Sequence, residues 1–543
     1  MGRKESWTLI AILALGFLLR IIAANSEWID VDEGNYLYDA KLLSEEQKPF
    51  EDFYMKEVFY TSILSFFGEI FGFSLFLGRI LSALFSLVTI IFVYKIGSLI
   101  YGKKTGLIAA CIYAFIPFSI FWNVLVRESV LEIMLMTVSA YYIIRFTKME
   151  AFSDMVLHAL FLFMALLTRR SIFLFVLAEL ALLAYMYRSR LRFLLVSFFY
   201  GLIGVLMPLA LLIFYSYAID ASFLKMLGIE FSPVTQAFSW KQFFGQRILL
   251  PYWLLREASY VILPLLIVLL YKLRNRTRYL VFSLLFAALF FSSFAFEYAL
   301  FKFPDRMAQY PVPPLAFFIL SMVYLTALFA ISYRFLNRNY FIGLDRFIVL
   351  WVFSIIAFYS AYSRFHVVYI AEMLPAAVIL ITPFLRRLYE EKETVNKTFL
   401  VILLFGISLS AFFYVEYHGL NNKWDPDIAE KAALYIKENS HKEDEIFTPM
   451  TFVPIIADRK LVLNITHPLY YHFEGAGDAD KVGVPSFKTI IEYMDRNEVK
   501  YVVIDEYVDV TYYSINPVLK YYIESNYAVE KEFDGIKILA RKT

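Results

Sequence analysis

Asp30, Asp32, Glu33 and Asp39 all fall in the stretch DVDEGNYLYDAKLL, directly after the first long apolar run of the chain. A carboxylate at the edge of an apolar layer is partly desolvated, which raises its pKa and suits it to take a proton from a hydroxyl. Asp32 is the first candidate for such a general base and Glu33 the second. A further candidate carboxylate, Glu128, comes from the stretch VRESVLE, with Glu132 one turn along on the same helical face. Cations recur near the same kind of boundary: Lys56, Arg79, Arg127, Arg169, Arg170, Arg306 and Arg364. The planar arginine fork binds phosphate oxygens in pairs, and cations stabilise charge that develops on a departing phosphate. Proton abstraction beside a phosphate is the chemistry these residue types can do together. The plain alternative is a solvated helix face with arginines snorkelling to headgroups.

These residues must be positioned by membrane helices. The chain has 543 residues, of which 60% are hydrophobic and 18% charged, and its mean hydropathy is +0.61. The net charge of +2 supplies no basic field for a nucleic-acid partner. The single cysteine, Cys111, lies in an apolar run, which excludes disulfides and cysteine metal sites within one chain. Arg3 and Lys4 precede a long apolar core, and no small-x-small site precedes a mature soluble domain, so the first run reads as a retained helix with its N-terminus inside.

Runs long enough to span lie near 7–24, 75–99, 105–122, 130–147, 155–168, 171–187, 193–215, 258–272, 279–299, 311–333, 347–363, 369–385 and 398–416. The fold class expected is a polytopic α-helical membrane protein of about thirteen helices. Loops assigned inside carry Arg3-Lys4, Lys103-Lys104, Arg188, Arg190 and Arg192, Lys272 to Arg278, Arg334 and Arg338, and Arg386-Arg387. An odd count places the hydrophilic stretch 417–543 outside, beyond a membrane domain of residues 1–416. The outer loop 25–74 reads as two amphipathic pieces lying on the bilayer, the second broken at Gly68 and Gly72.

The tail reads as a small α/β domain. DIAEKAALYIKENS, SFKTIIEYMDRNEV and INPVLKYYIESN have helical spacing. EIFTPM, KLVLNI and KYVVIDEY read as strands, and YAVEKEFDGIKILARK as a hairpin turning at Asp534-Gly535. His467 and His472 have no ligand spacing and read as loop histidines.

The run Asp32-Glu33-Gly34-x-Tyr36, then Pro49-Phe50-x-Asp52-Phe53, then FSLFLGRILSALFSLVTIIFVYKIGSLIYGKKTGLIAACIYAFIPF resembles the polyprenyl-phosphate-sugar-dependent GT-C glycosyltransferases. The branch it is similar to is the protein mannosyltransferase and aminoarabinose transferase group. The likeness follows roughly the first 190 residues in order, and the remainder in architecture alone. Many relatives carry a Pro-Pro turn where this chain reads Met55-Lys56-Glu57-Val58-Phe59; the chain lacks a WWDYG motif, having only Trp424-Asp425, so it does not resemble an oligosaccharyltransferase catalytic subunit.

The resemblance implies sugar transfer from a polyprenyl phosphate at the outer face of a cell membrane, with Asp32 as base and the cations on the donor phosphate. The N-terminus is then cytoplasmic and the tail extracytoplasmic. The acceptor is a protein, a glycan or a lipid, and the sugar is not legible. No general acid is required by this chemistry and no cofactor is assigned; a divalent cation held by two acidic groups against the phosphate stays open. The rival reading is a transporter or flippase of a polyprenyl-linked amphiphile, which would place its ionisable residues near the midplane on repeated, interrupted helices.

Overall fold

The computed structural model describes residues 3–26, 29–55, 57–219, 345–361, 370–390, 425–466, 485–505 and 516–542. The expected spans 258–272, 279–299, 311–333 and 398–416 lie outside them, as do His467 and His472. Helices α1 (Arg3–Ser26), α4 (Leu75–Tyr101), α7 (Glu128–Met149) and α10 (Leu191–Ala218) are each long and apolar enough to cross a membrane. Between them come α2 (Val31–Ser44), α3 (Val58–Phe71), α5 (Lys103–Phe115), α6 (Pro117–Trp122), α8 (Phe152–Thr168) and α9 (Phe173–Met186). Helices α11 (Asp345–Ala361) and α12 (Ile370–Glu390) pack back onto α9 and α5.

Three expectations change in the helical part. The run 105–122 is not one helix: Ile116 is extended, with ψ 124°, and parts α5 from α6. The cause is Pro117, which disfavours helical geometry in the residue before it but starts the next helix without losing a bond. Helix α2 does not lie as an amphipathic piece on the bilayer. Every residue from Glu33 to Ala40 is buried, because α3 and α4 cover it on one side and the C-terminal unit on another. Gly68 sits inside α3 rather than breaking it, and Gly72 ends that helix with φ 95°.

Polar pegs fix the bundle. Arg20 of α1 is fully buried. It donates to Ser86 of α4 at 2.8 Å, to the Ala114 carbonyl of α5 at 3.0 Å and to Ser119 of α6 at 2.8 Å. Its charge is therefore spread over acceptors from three other helices, which is how a buried guanidinium becomes tolerable. His158 of α8 meets Ser139 of α7 at 2.8 Å and Glu179 of α9 at 3.6 Å.

One end of the bundle gathers the basic loops. Lys103 pairs with Glu5 at 3.7 Å, Lys148 donates to the Leu99 carbonyl at 3.1 Å, and Arg386 donates to Thr105 at 3.0 Å. Arg190 pairs with Glu150 at the turn joining α7 to α8. The carboxylates of α2 lie at the opposite end.

The C-terminal stretch forms a five-stranded sheet of order β2-β1-β3-β5-β4. Strands β1 (Glu445–Phe447), β2 (Lys460–Leu461) and β3 (Tyr501–Ile504) are parallel, while β5 (Ile536–Arg541) runs antiparallel to β3 and pairs with β4 (Tyr527–Phe533). The β4–β5 turn carries Asp534 at φ 42° and Gly535 at φ 94°, a left-handed pair that glycine supplies at little cost. Helices α13 (Pro426–Asn439), α14 (Phe452–Ala457), α15 (Phe487–Arg496) and α16 (Pro517–Asn526) complete it. Asp425, Ser486 and Asn516 cap three of them through side-chain oxygens.

Candidate active site

The site is built on the first turn of α2. Asp30 is its N-cap: its carboxylate accepts from the Asp32 N–H at 3.0 Å, and the Glu33 carboxylate accepts from the Asp30 N–H at 3.0 Å. This reciprocal capping fixes the loop, and the helix dipole favours the negative charge placed there.

Glu33 then turns inward. Arg79 of α4 donates to it twice, at 2.9 and 2.7 Å, and the Val126 N–H donates at 2.8 Å. Both side chains are wholly enclosed, and Arg79 also donates to the Ala24 carbonyl at 3.2 Å. This corrects two expectations. Glu33, the second candidate base, is closed off by four donors, and Arg79, expected on a phosphate, is committed to Glu33. The pair locks α2 to α1, α4 and the loop before α7.

Arg127 holds the other two acids. One guanidinium nitrogen lies 3.0 Å from Asp30 and another 2.8 Å from Asp32. Burial pushes Asp30 up to about 6, Arg127 opposes this, and Asp32 and Glu33 add to it. Burial works against the charge on Arg127, yet Asp30, Asp32 and Glu128 outweigh it and hold its pKa above the ordinary arginine value.

A second cluster adjoins the first. Arg169, extended between α8 and a short 3-10 turn, lies 2.8 Å from Glu372, 3.7 Å from Glu128 and 3.9 Å from Glu132. Ser171 donates to Glu132 at 2.5 Å. Glu128 and Glu132 are successive turns of α7, as the spacing predicts, whereas Glu372 comes from the first turn of α12. Sequence reasoning missed Glu372. Its signal was a carboxylate inside an otherwise apolar run, IAEMLPAAVILITPF, where charge is costly and seldom idle. Tyr36, one turn after Asp32, connects the clusters: its phenol is raised by burial first and then by Glu128, and its ring meets Tyr60 edge-on at 5.1 Å.

Arg127 and Arg169 were expected on a phosphate. Each is instead matched by carboxylates, so neither presents an uncompensated cation to an anion. Lys56, Arg306 and Arg364 lie outside the described residues, and Arg170 is described in its backbone alone. Among the described residues no group of three or more His, Cys, Asp or Glu is arranged to hold a metal ion.

Openness separates the acids. The Asp32 side chain is 24% exposed and that of Asp30 13%, against 3% for Glu128 and none for Glu33, Glu132 or Glu372. Asp32 is the most reachable carboxylate of the set.

The comparisons with known proteins agree with this architecture. Residues 58–217 match the family model described as dolichyl-phosphate-mannose-protein mannosyltransferase. No protein of curated function matches the sequence. Among solved structures, ArnT from Cupriavidus metallidurans bound to undecaprenyl phosphate superposes with a TM-score of 0.50 at 13% identity, covering 98% of each chain. The archaeal oligosaccharyltransferase AglB from Archaeoglobus fulgidus, in complex with an inhibitory peptide and a dolichol-phosphate, gives 0.51 at 12% identity, over 100% of this chain and 75% of that one. The apo form of the Archaeoglobus fulgidus oligosaccharyltransferase gives 0.55 at 12% identity, with the same coverage. The chain shares the fold of these solved structures. The resemblance read from the first 190 or so residues is borne out by both kinds of comparison.

Proposed function

We propose that the chain is a membrane glycosyltransferase that moves a sugar from a polyprenyl phosphate to an acceptor hydroxyl, with Asp32 as general base. The observation that carries this reading is the openness of Asp32 in a cluster whose other acids are closed by arginines and helix ends. In the step proposed, an Asp32 carboxylate oxygen takes the acceptor O–H proton. The acceptor oxygen bonds to the anomeric carbon, and the bond from that carbon to the phosphate oxygen breaks. Polyprenyl phosphate leaves with the electron pair, so no general acid is needed. Arg127 aims Asp32 through the 2.8 Å contact, while Glu33 and Arg79 hold the turn that carries it.

The matched family and the two solved structures of like fold, bound to undecaprenyl phosphate and to a dolichol-phosphate, support this donor class. Lys56, Arg170, Arg306 and Arg364 remain the cations proposed for the donor phosphate. Protein, glycan or lipid hydroxyls are the acceptor classes. The basic loops gathered at one end of the bundle support a cytoplasmic N-terminus, with the α2 site and the C-terminal unit on the outer face of a cell membrane. The purified protein in lipid, given a panel of polyprenyl-phosphate sugars, should release polyprenyl phosphate. Failure with every donor, from protein shown to be folded, sinks the reading.

A further inference from the structure

The C-terminal unit grips α2 along its whole length, and the grip is tightest beside the candidate base. Ile29, the residue before the Asp30 cap, is buried in the apolar core of the C-terminal unit with Phe452, Val453 and Ala433. At Gly34 the backbone of that unit presses so close that an added Cβ would lie 2.5 Å from the Phe452 nitrogen and 3.0 Å from the Thr451 carbonyl carbon. No side chain fits there without moving one backbone against the other. Thr451 donates from its hydroxyl to Asn35 at 2.7 Å, and both residues are buried. Further along, the Leu461 N–H donates to the Tyr38 hydroxyl at 2.7 Å, and Lys41 pairs with Asp458 at 3.0 Å.

We infer that the C-terminal unit is a positioning element for the sugar-transfer site, acting through Thr451 and Gly34 to hold Asp32 at the reacting hydroxyl. The inference rests on Asp32 being the base. Asp32 lies between Ile29 and Gly34, so its backbone is held on both sides by a unit more than 400 residues away in sequence. A buried contact of this kind has a kinetic consequence, because displacing a reacting group by about 1 Å costs up to roughly a hundredfold in rate. Thr451 and Gly34 are positioning residues, since neither touches the reacting atoms.

The test uses the full chain in lipid. Thr451→Val removes the hydrogen bond at nearly constant shape, and Gly34→Ala forces the two backbones apart. Each should lower kcat about tenfold or more with donor KM unchanged, within that positional range, while Thr451→Ser retains the parent kcat. In an Asp32→Asn background the Thr451→Val loss should disappear, because there is no base left to misplace. Thr451→Val at the parent kcat, with Asp32→Asn dead, overturns the positioning role alone. An undiminished Thr451→Val loss on top of Asp32→Asn also overturns it, since that is damage unrelated to Asp32. Asp32→Asn at the parent rate overturns the base assignment, and the inference with it.

Discussion

One arginine, Arg127, holds Asp30 at 3.0 Å with one nitrogen and Asp32 at 2.8 Å with another, so the cap of α2 and the candidate base share a single cation. The arrangement fixes the aim of Asp32 and couples its surroundings to the ionisation of its neighbour.

Asp32→Asn keeps the shape of the side chain but cannot take a proton. Transfer should fall by roughly 10²–10⁴-fold, the usual worth of general base catalysis. Donor binding, followed by equilibrium binding of a polyprenyl-phosphate sugar, should be unchanged. A parent rate in this variant assigns the base elsewhere.

The pH profile should show the coupling. As pH falls through about 6, Asp30 takes up a proton and its hold on Arg127 weakens, so kcat should drop on the acid side. Asp30→Asn should flatten that limb near 6. For stability the sign is opposite. A folded pKa raised above the ordinary carboxylate value of 3.8 means that the folded state binds the proton more tightly. The stabilisation is fully present below the unfolded value and is lost as pH rises through about 6. Acid unfolding should therefore not be driven by Asp30.

Glu33 and Arg79 should behave as a structural pair. Removing one partner leaves a buried charge, at a cost of about 3–5 kcal/mol. Arg79→Met should lower the thermal midpoint in detergent strongly, whereas Glu33→Gln with Arg79→Met should recover much of the loss. A double variant no more stable than Arg79→Met alone would contradict the closed-pair account.

Glu128, Glu132 and Glu372 all lie within ion-pair distance of Arg169. Arg169→Met should therefore be more damaging to folded yield than Glu372→Gln, which leaves Arg169 with two carboxylates. Equal yields from the two variants, measured by size-exclusion chromatography, would mean that Arg169 does not carry the neutralisation of this buried cluster.

The sequence alone determined the membrane class, the places of α1, α4 and α7 to α10, and the β4–β5 hairpin with α13, α15 and α16 of the C-terminal stretch; it missed α14 and read KLVLNI as a strand where the chain leaves β2 at Leu461 for a 3-10 turn. Those features depend on local pattern: unbroken apolar runs, the 3.6-residue period, capping residues, and the Asp534-Gly535 turn. It also placed a carboxylate cluster at Asp30 to Glu33, because side-chain chemistry and its distance from an apolar run can both be read along the chain.

What each of those groups is bound to was decided by the tertiary structure. Glu33 and Asp32 are neighbours with the same functional group, yet successive helical residues point in different directions. One meets Arg79 in the dry interior and the other meets Arg127 at an open edge. Glu372 reaches Arg169 across 203 residues, and Thr451 reaches Asn35 across 416. Neither meeting has a local signal. A carboxylate's capacity to act as a base belongs to the residue, but its freedom to do so depends on which distant side chains pack against it.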